Sequence, residues 1–104
     1  MFIAMNNVVG GGDNWVVGAD GAPVKKILTN TSGDNQVVFD IPSLEYGYIP
    51  FVNVADGQPY PKHKSYPVFN STNMTMTITY PAVTDAQKGG SSGEQCYVQL
   101  RVVK

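Results

Sequence analysis

Two stretches near the C-terminal end of the chain alternate between apolar and polar side chains. They are Asn73–Tyr80 (NMTMTITY) and Gln95–Val103 (QCYVQLRVV). A period of two places the apolar side chains on one face of an extended strand and the others on the opposite face. We therefore predict two β-strands that pair as an antiparallel ribbon. Because a ribbon alone cannot shield its apolar face from water, a second sheet or a neighbouring subunit must cover it.

Shorter strand-like stretches, separated by turn residues, fill most of the remaining chain. The further predicted strands are Trp15–Val17, Val24–Thr29, Gln36–Ile41, Leu44–Ile49 and Phe51–Val54. Pro50 lacks an N–H and is expected at an edge, a bulge or a break between strands. No stretch combines helical spacing with caps and helix length. The pattern predicts an all-β fold, a single antiparallel β-sandwich or barrel of about 6–8 short strands with no significant helix.

The length of 104 residues and the 42% hydrophobic content predict one domain, residues 1–104. Residues 1–12 are expected to form a flexible N-terminal arm, since apolar Met1–Met5 is followed by Gly10-Gly11-Gly12. The apolar start is too short for a signal peptide, and no run approaches the roughly 18 apolar residues of a membrane span. We expect a complete small gene product that is made in the cytoplasm.

Composition excludes several classes of partner. The net charge is −1 and the seven basic residues are scattered, which is unlike the clustered basic surface of a nucleic-acid-binding protein. Charged residues make up only 14% of the chain. A surface poor in charge and rich in Tyr, Asn and Ser is typical of contact proteins, and equally of an all-β domain with many turns. Cys96, the single cysteine, permits no internal disulfide and is expected to be a small core residue.

No residue pattern indicates catalysis or metal binding. Asp40 and Glu45 lie near a strand end, but an acid/base pair also needs a defined separation across a cleft. His63 is the only histidine and has no activated serine beside it. We therefore predict no enzymatic activity, no catalytic residue, no metal site and no cofactor. A small hydrolase would require Asp40, Glu45 and His63 to meet in one deep cavity.

The segment Gln58–Val68 (QPYPKHKSYPV) is the most distinctive loop of the sequence. Its prolines favour extended backbone in the residues that precede them, which stiffens the loop and presents its side chains. Tyr and Trp side chains at turns are suited to protein contacts or to stacking on sugar rings. The alternative is that most of the aromatic residues form the rim of the core. The predicted binding residues are Tyr60, Lys62, His63, Lys64, Tyr66 and Trp15.

In their pattern of strands and loops, residues 35–104 resemble the small β-sandwich modules of tailed-bacteriophage virion proteins. The features that carry the resemblance are the strand Val37–Ile41, the Tyr/Pro-rich middle, the TMTITY strand, the Gly/Ser loop and the final VQLRVV strand. Such modules occur in capsid decoration proteins, tail fibres and baseplates. The resemblance implies a β-sandwich and assigns no individual functional residue.

We therefore expect a non-enzymatic virion structural or surface-assembly subunit, in capsid decoration or tail-associated adhesion. Many weak contacts repeated by symmetry would give strong attachment. Its partners would be further copies of itself and other capsid or tail proteins, and its location the virion. Val103 and the arm segment Phe2–Met5 would bury surface between subunits. The alternative is a carbohydrate- or receptor-binding β-sandwich module that stacks a cell-surface glycan on Tyr60, Tyr66 or Trp15. Neither function involves nucleic acid or a membrane.

Overall fold

The computed structural model describes residues 14–90 and 95–103, and these residues form an all-β structure. The strands are β1 (Lys26–Ile27), β2 (Asn35–Asp40), β3 (Gly47–Asn53), β4 (Val68–Asn70), β5 (Thr75–Tyr80) and β6 (Tyr97–Val103). No helix occurs in the described part of the chain. The all-β prediction is confirmed. The predicted arm of residues 1–12 lies outside the described residues.

The strands form two three-stranded antiparallel sheets, with the orders β1-β6-β3 and β2-β5-β4. We call them the β6 sheet and the β5 sheet. The predicted ribbon is wrong, because β5 and β6 do not pair with each other and each is the central strand of its own sheet. Alternation shows which side chains share a face, but it does not specify the partner strand.

One hydrophobic cluster contains buried side chains from both sheets. Met76, Ile78 and Tyr80 of β5 are 1% exposed or less, and Val98 and Leu100 of β6 are 0% exposed. The alternating residues between them are more exposed in both strands. Each apolar face is therefore covered, as the sequence requires, within a cluster to which both sheets contribute.

The buried residues also include the cysteine. Cys96 is 0% exposed and belongs to the hydrophobic cluster. Its interpretation as a small core residue is confirmed.

β3 continues through Pro50 as an edge strand, which is one of the placements that the sequence predicted, so the predicted break between Leu44–Ile49 and Phe51–Val54 does not occur. The residue opposite Pro50 on β6 is Leu100, whose carbonyl accepts a hydrogen bond from the Val16 N–H on the other side of β6. The Leu100 carbonyl thus points away from β3, and β6 needs no N–H from Pro50. Since β3 is an edge strand, the missing donor faces the free edge.

Two other predicted strands differ from the observed ones. Leu44 and Glu45 lie in a turn before β3 rather than in a strand. The predicted strand Trp15–Val17 forms only isolated bridges, between Trp15 and Arg101 and between Val17 and Pro23. The Trp15–Val17 segment thus contacts β6 through Trp15 without extending a regular ladder, and Leu44 and Glu45 are exposed turn residues.

Candidate functional site

The segment 58–67, here called the tyrosine loop, holds its aromatic side chains away from the core. Tyr60 is 66% exposed and Tyr66 is 90% exposed. Lys62 and His63, between them, are also exposed. Five of the six predicted binding residues therefore lie together on this loop. Large side chains that remain in water are available to contact a partner.

The backbone of the tyrosine loop is fixed to the rest of the protein at two positions. The Gln87 side-chain amide donates to the Pro59 carbonyl at 2.9 Å. The Lys64 N–H donates to the Thr79 carbonyl on β5 at 2.8 Å. These bonds lie on either side of Lys62 and His63. The loop therefore presents exposed side chains from a backbone that is held in place.

Gln87 is buried and was missed in the sequence analysis. The Gln87 side-chain oxygen accepts a hydrogen bond from the Thr84 backbone N–H at 2.8 Å. In return, the Gln87 backbone N–H donates to the Thr84 hydroxyl at 3.0 Å. This reciprocal pair is a capping box, which stabilises the single turn that follows Thr84. The Gln87 carbonyl also accepts from the Ala55 N–H at 3.0 Å. The Thr-x-x-Gln spacing is the signal that could have indicated this anchor.

Lys64 has a partner within the protein. Its ammonium group lies 3.1 Å from the Asp34 carboxylate, and both side chains are about half exposed, at 51% and 50%. An exposed ion pair of this kind contributes little to stability, roughly 0–1 kcal/mol. Among the predicted binding residues, Lys64 thus serves to orient the loop, and its charge is partly neutralised before any partner binds.

A cleft of about 400 Å³ lies between the tyrosine loop and the free edge of β3. Its lining residues are Ile49, Pro50, Val52, Pro61, Lys62, His63 and Tyr80. The His63 ring meets the Tyr80 ring edge-on, with centroids 6.3 Å apart. His63 Nδ1 lies 2.8 Å from the Ser65 carbonyl oxygen. Asp40 and Glu45 do not line this cleft, so the three groups that a small hydrolase would need do not meet in it.

Tyr80 forms part of the cleft wall but has a buried hydroxyl group. The residue is 1% exposed, and its hydroxyl has no hydrogen-bond partner among residues 14–90 and 95–103. Burial, with a smaller contribution from nearby Cys96, raises the pKa of Tyr80 to about 12. Burial also raises the pKa of the Cys96 thiol. Both groups are therefore held in their neutral forms.

Trp15, the sixth predicted binding residue, lies outside the tyrosine loop. It pairs with Arg101 of β6, and its ring contacts the Phe51 ring edge-on at 5.5 Å between centroids. Ile49 shares the face of β3 that carries Phe51, and the two are 54% and 47% exposed. We call Trp15, Ile49, Phe51 and Arg101 the aromatic face. The sequence analysis missed its apolar members on β3.

Residues 14–90 and 95–103 contain neither a metal-binding group of side chains nor a membrane-spanning helix. No group of three or more His, Cys, Asp or Glu side chains is placed to hold a metal ion there. No helix among these residues is long and apolar enough to cross a membrane.

Replacing Gln87 should loosen the tyrosine loop. Gln87→Leu removes the side-chain bonds to Thr84 and Pro59, and at about 1 kcal/mol each we expect local opening to increase by roughly thirtyfold. Limited trypsin digestion, followed by mass spectrometry, should show faster cleavage after Lys62. The matched control is Gln36→Leu, since the Gln36 amide bond to Thr79 is exposed. Equal cleavage rates in both variants would show that Gln87 does not restrain the loop.

Tyr80→Phe should change how stability depends on pH. The pKa of Tyr80 is raised from 10.0 to about 12, so between these pH values the unfolded chain loses the phenolic proton while the folded chain keeps it. The wild type should therefore lose up to about 3 kcal/mol of unfolding free energy over this range, at roughly 1.4 per pKa unit. The variant should lack this loss, and at neutral pH it should be at least as stable, since it has no unpaired hydroxyl. Urea unfolding at several pH values measures both, and identical pH profiles would contradict the assignment.

Comparisons with models of known protein families, with curated proteins and with solved structures found no match for this chain. We therefore infer the function from the tyrosine loop, the cleft and the aromatic face.

Proposed function

We propose that the protein is a non-enzymatic assembly subunit that acts through repeated protein contacts. The observation that carries this proposal is the tyrosine loop, in which Tyr60 and Tyr66 are mostly exposed while the neighbouring backbone is fixed by Gln87 and Thr79. Ordering a mobile loop opposes binding, and a loop that is already held avoids much of that cost. The exposed tyrosines then offer large contact areas with few rotatable bonds.

The proposed architecture for this subunit is a six-stranded β-sandwich, with the two sheets packed face to face. Two contacts between the sheets support it. The Lys26 ammonium group on β1 lies 5.9 Å from the centre of the Phe39 ring on β2. On the other side, the rings of Tyr48 on β3 and Phe69 on β4 are 6.3 Å apart. β1 would thus lie over β2 and β3 over β4, with β6 over β5 in the middle.

The proposed setting is the virion of a tailed bacteriophage, in capsid decoration or in tail-associated adhesion. It rests on the resemblance of residues 35–104 to the small β-sandwich modules of such particles. β2, β5 and β6 occur at the three strand-forming segments that carry this resemblance. In a symmetric particle each weak contact is repeated many times, so attachment is strong although no single contact is. The partners would be further copies of the chain and other capsid or tail proteins.

This proposal predicts that the purified protein associates with itself reversibly. Sedimentation velocity from roughly 1 μM to 1 mM, which covers weak to moderate dissociation constants, should show a weight-average sedimentation coefficient that rises with concentration. The association should persist in high salt if apolar contacts dominate it, and weaken if charge contacts do. A monomer at every concentration, without affinity for capsid or tail proteins, would count against an assembly function.

The second candidate function is glycan binding, and the exposure of Tyr66 favours it. At 90% exposure the ring is open to a flat ligand, and stacking on sugar rings is a common use of such aromatic side chains. A shallow depression of about 330 Å³ next to it is lined by His63, Lys64, Ser65 and Tyr66. Its hydrogen-bonding groups could contact sugar hydroxyls beside a stacked ring.

A glycan array separates the two functions. If the protein is a glycan-binding module, the wild type should bind a defined set of glycans, and Tyr60→Ala and Tyr66→Ala should lose that binding by about tenfold, the effect of removing one stacking platform. The matched control is Phe69→Ala, which removes a half-exposed ring that lies on β4, outside the tyrosine loop. Binding that is unchanged in the tyrosine variants would exclude this loop as a sugar platform.

A further inference from the structure

The aromatic face is an exposed surface that is mostly apolar. It lies on the outward side of the β6 sheet, where Ile49 and Phe51 are about half exposed and the Trp15 and Phe51 rings pack edge-on. Arg101 stands between Trp15 and Ile49, because it pairs with Trp15 on one side of β6 and with Ile49 on the other. An apolar surface with a guanidinium group near its centre fits a partner that is apolar and acidic.

Among residues 14–90 and 95–103, Arg101 forms no ion pair with a carboxylate. The ion pairs among the described residues are Lys64 with Asp34 and Lys88 with Asp85, and neither includes Arg101. The three strands of the β6 sheet contain no Asp or Glu at all. The strands of the β6 sheet thus supply no charge complementary to Arg101.

The outward side of the β5 sheet offers the complementary surface. Val38 on β2 and Val68 on β4 lie opposite Thr77 of β5, and they are 44% and 63% exposed. Asp40 lies two residues beyond Val38 on the same face and is exposed. No ion pair involving Asp40 occurs among residues 14–90 and 95–103. This surface thus carries the apolar side chains of Val38 and Val68 and the acidic Asp40 beside the threonines of β5, while the aromatic face is apolar and basic.

Contact between two identical aromatic faces is unfavourable by comparison. A two-fold axis through the middle of the aromatic face would bring the Arg101 side chains of both copies close together, with no acid on either β6 sheet to separate them. Like charges that meet in a contact from which water is excluded oppose association. A head-to-tail contact, in which the aromatic face of one copy meets the β5 sheet of the next, instead pairs unlike charges.

We propose that the aromatic face binds the outward face of the β5 sheet of a second copy of this chain, with Arg101 of one copy facing Asp40 of the next. This inference rests on the proposed assembly function and specifies its contact. Such a head-to-tail interface leaves one unused face at each end, so that copies add to a closed ring or to an open row.

The size of the faces determines how strong one contact is. Three strands at about 4.8 Å spacing and seven residues at about 3.3 Å give a face of roughly 14 × 23 Å. This footprint is well below the area of about 800 Å² per partner in a standard stable interface. A single contact is therefore weak, and association requires high local concentration or a particle that holds many copies.

Charge reversal with complementation tests the proposed pairing. Arg101→Glu and Asp40→Arg should each lower the self-association constant by about tenfold or more, because each creates a like-charged contact. An equimolar mixture of the two variants should associate again, since each then offers a face complementary to the other. Asp56→Arg and Lys88→Glu are the matched controls, since Asp56 is exposed, Lys88 is partly exposed, and both lie outside the two faces. Sedimentation velocity measures association, and circular dichroism shows that each variant is folded.

Each outcome decides between the possibilities. Loss in both single variants with recovery in the mixture supports the head-to-tail contact. Loss in Arg101→Glu alone, with recovery when it is mixed with the wild type, would instead establish contact between two aromatic faces and overturn the proposal. Association that neither variant changes would also overturn it while leaving the assembly function intact. A wild type that never associates would contradict the assembly function itself.

Discussion

Burial of two alternating strands in one hydrophobic cluster is the constraint on which this structure depends. β5 and β6 are each the central strand of a sheet, so their backbones are paired on both sides and only their apolar faces remain to be covered. Ile78 of β5 and Leu100 of β6 are both 0% exposed and belong to one hydrophobic cluster. Because burial of apolar area is the main favourable contribution to folding, these inward residues determine the interior. The outward residues are not constrained in this way, and they differ between the two sheets. Threonines alternate along β5, while aromatic and basic groups lie on the β6 sheet.

The connecting loops are held to β5 and to each other by hydrogen bonds outside the strand ladders. The connection between β3 and β4 crosses to β5 through the Lys64–Thr79 backbone bond, and Gln87 joins it to the connection between β5 and β6. The hydrogen bonds of Gln87 are made inside the protein, where an unmade bond would be costly. Buried polar contacts therefore hold a backbone whose tyrosines face solvent. Rigid backbone with exposed side chains suits a surface that binds without first becoming ordered.

Sequence periodicity correctly predicted which face of a strand is buried, but it did not predict which strands pair. The inward positions of Val37, Ile78 and Leu100 follow directly from alternation, and all three are buried. The pairing of β5 with β2, rather than with β6, depends on contacts between residues far apart in the chain, and alternation contains no information about them. Gln87 was missed because a single capped turn is too short to show a repeating helical pattern. The sequence could not suggest Arg101 and Asp40 as charge partners, because only the structure places them on the outward faces of different sheets.

The strand edges favour contact through faces and loops over strand addition. In β3 the middle of the free edge is Pro50, which offers no N–H to an added strand, and the loop residues Pro61 and His63 lie along the same edge. β1 has two residues and β4 has three, so neither presents a long ladder to a partner. Backbone pairing would be strong and nearly independent of sequence, which favours uncontrolled aggregation. Contacts made by side chains are weaker and more selective, because a wrong partner leaves charges or polar groups unpaired. Such contacts would suit a subunit that assembles only beside the correct neighbour. Symmetry can turn many weak selective contacts into strong attachment, but it cannot make strong unselective contacts selective.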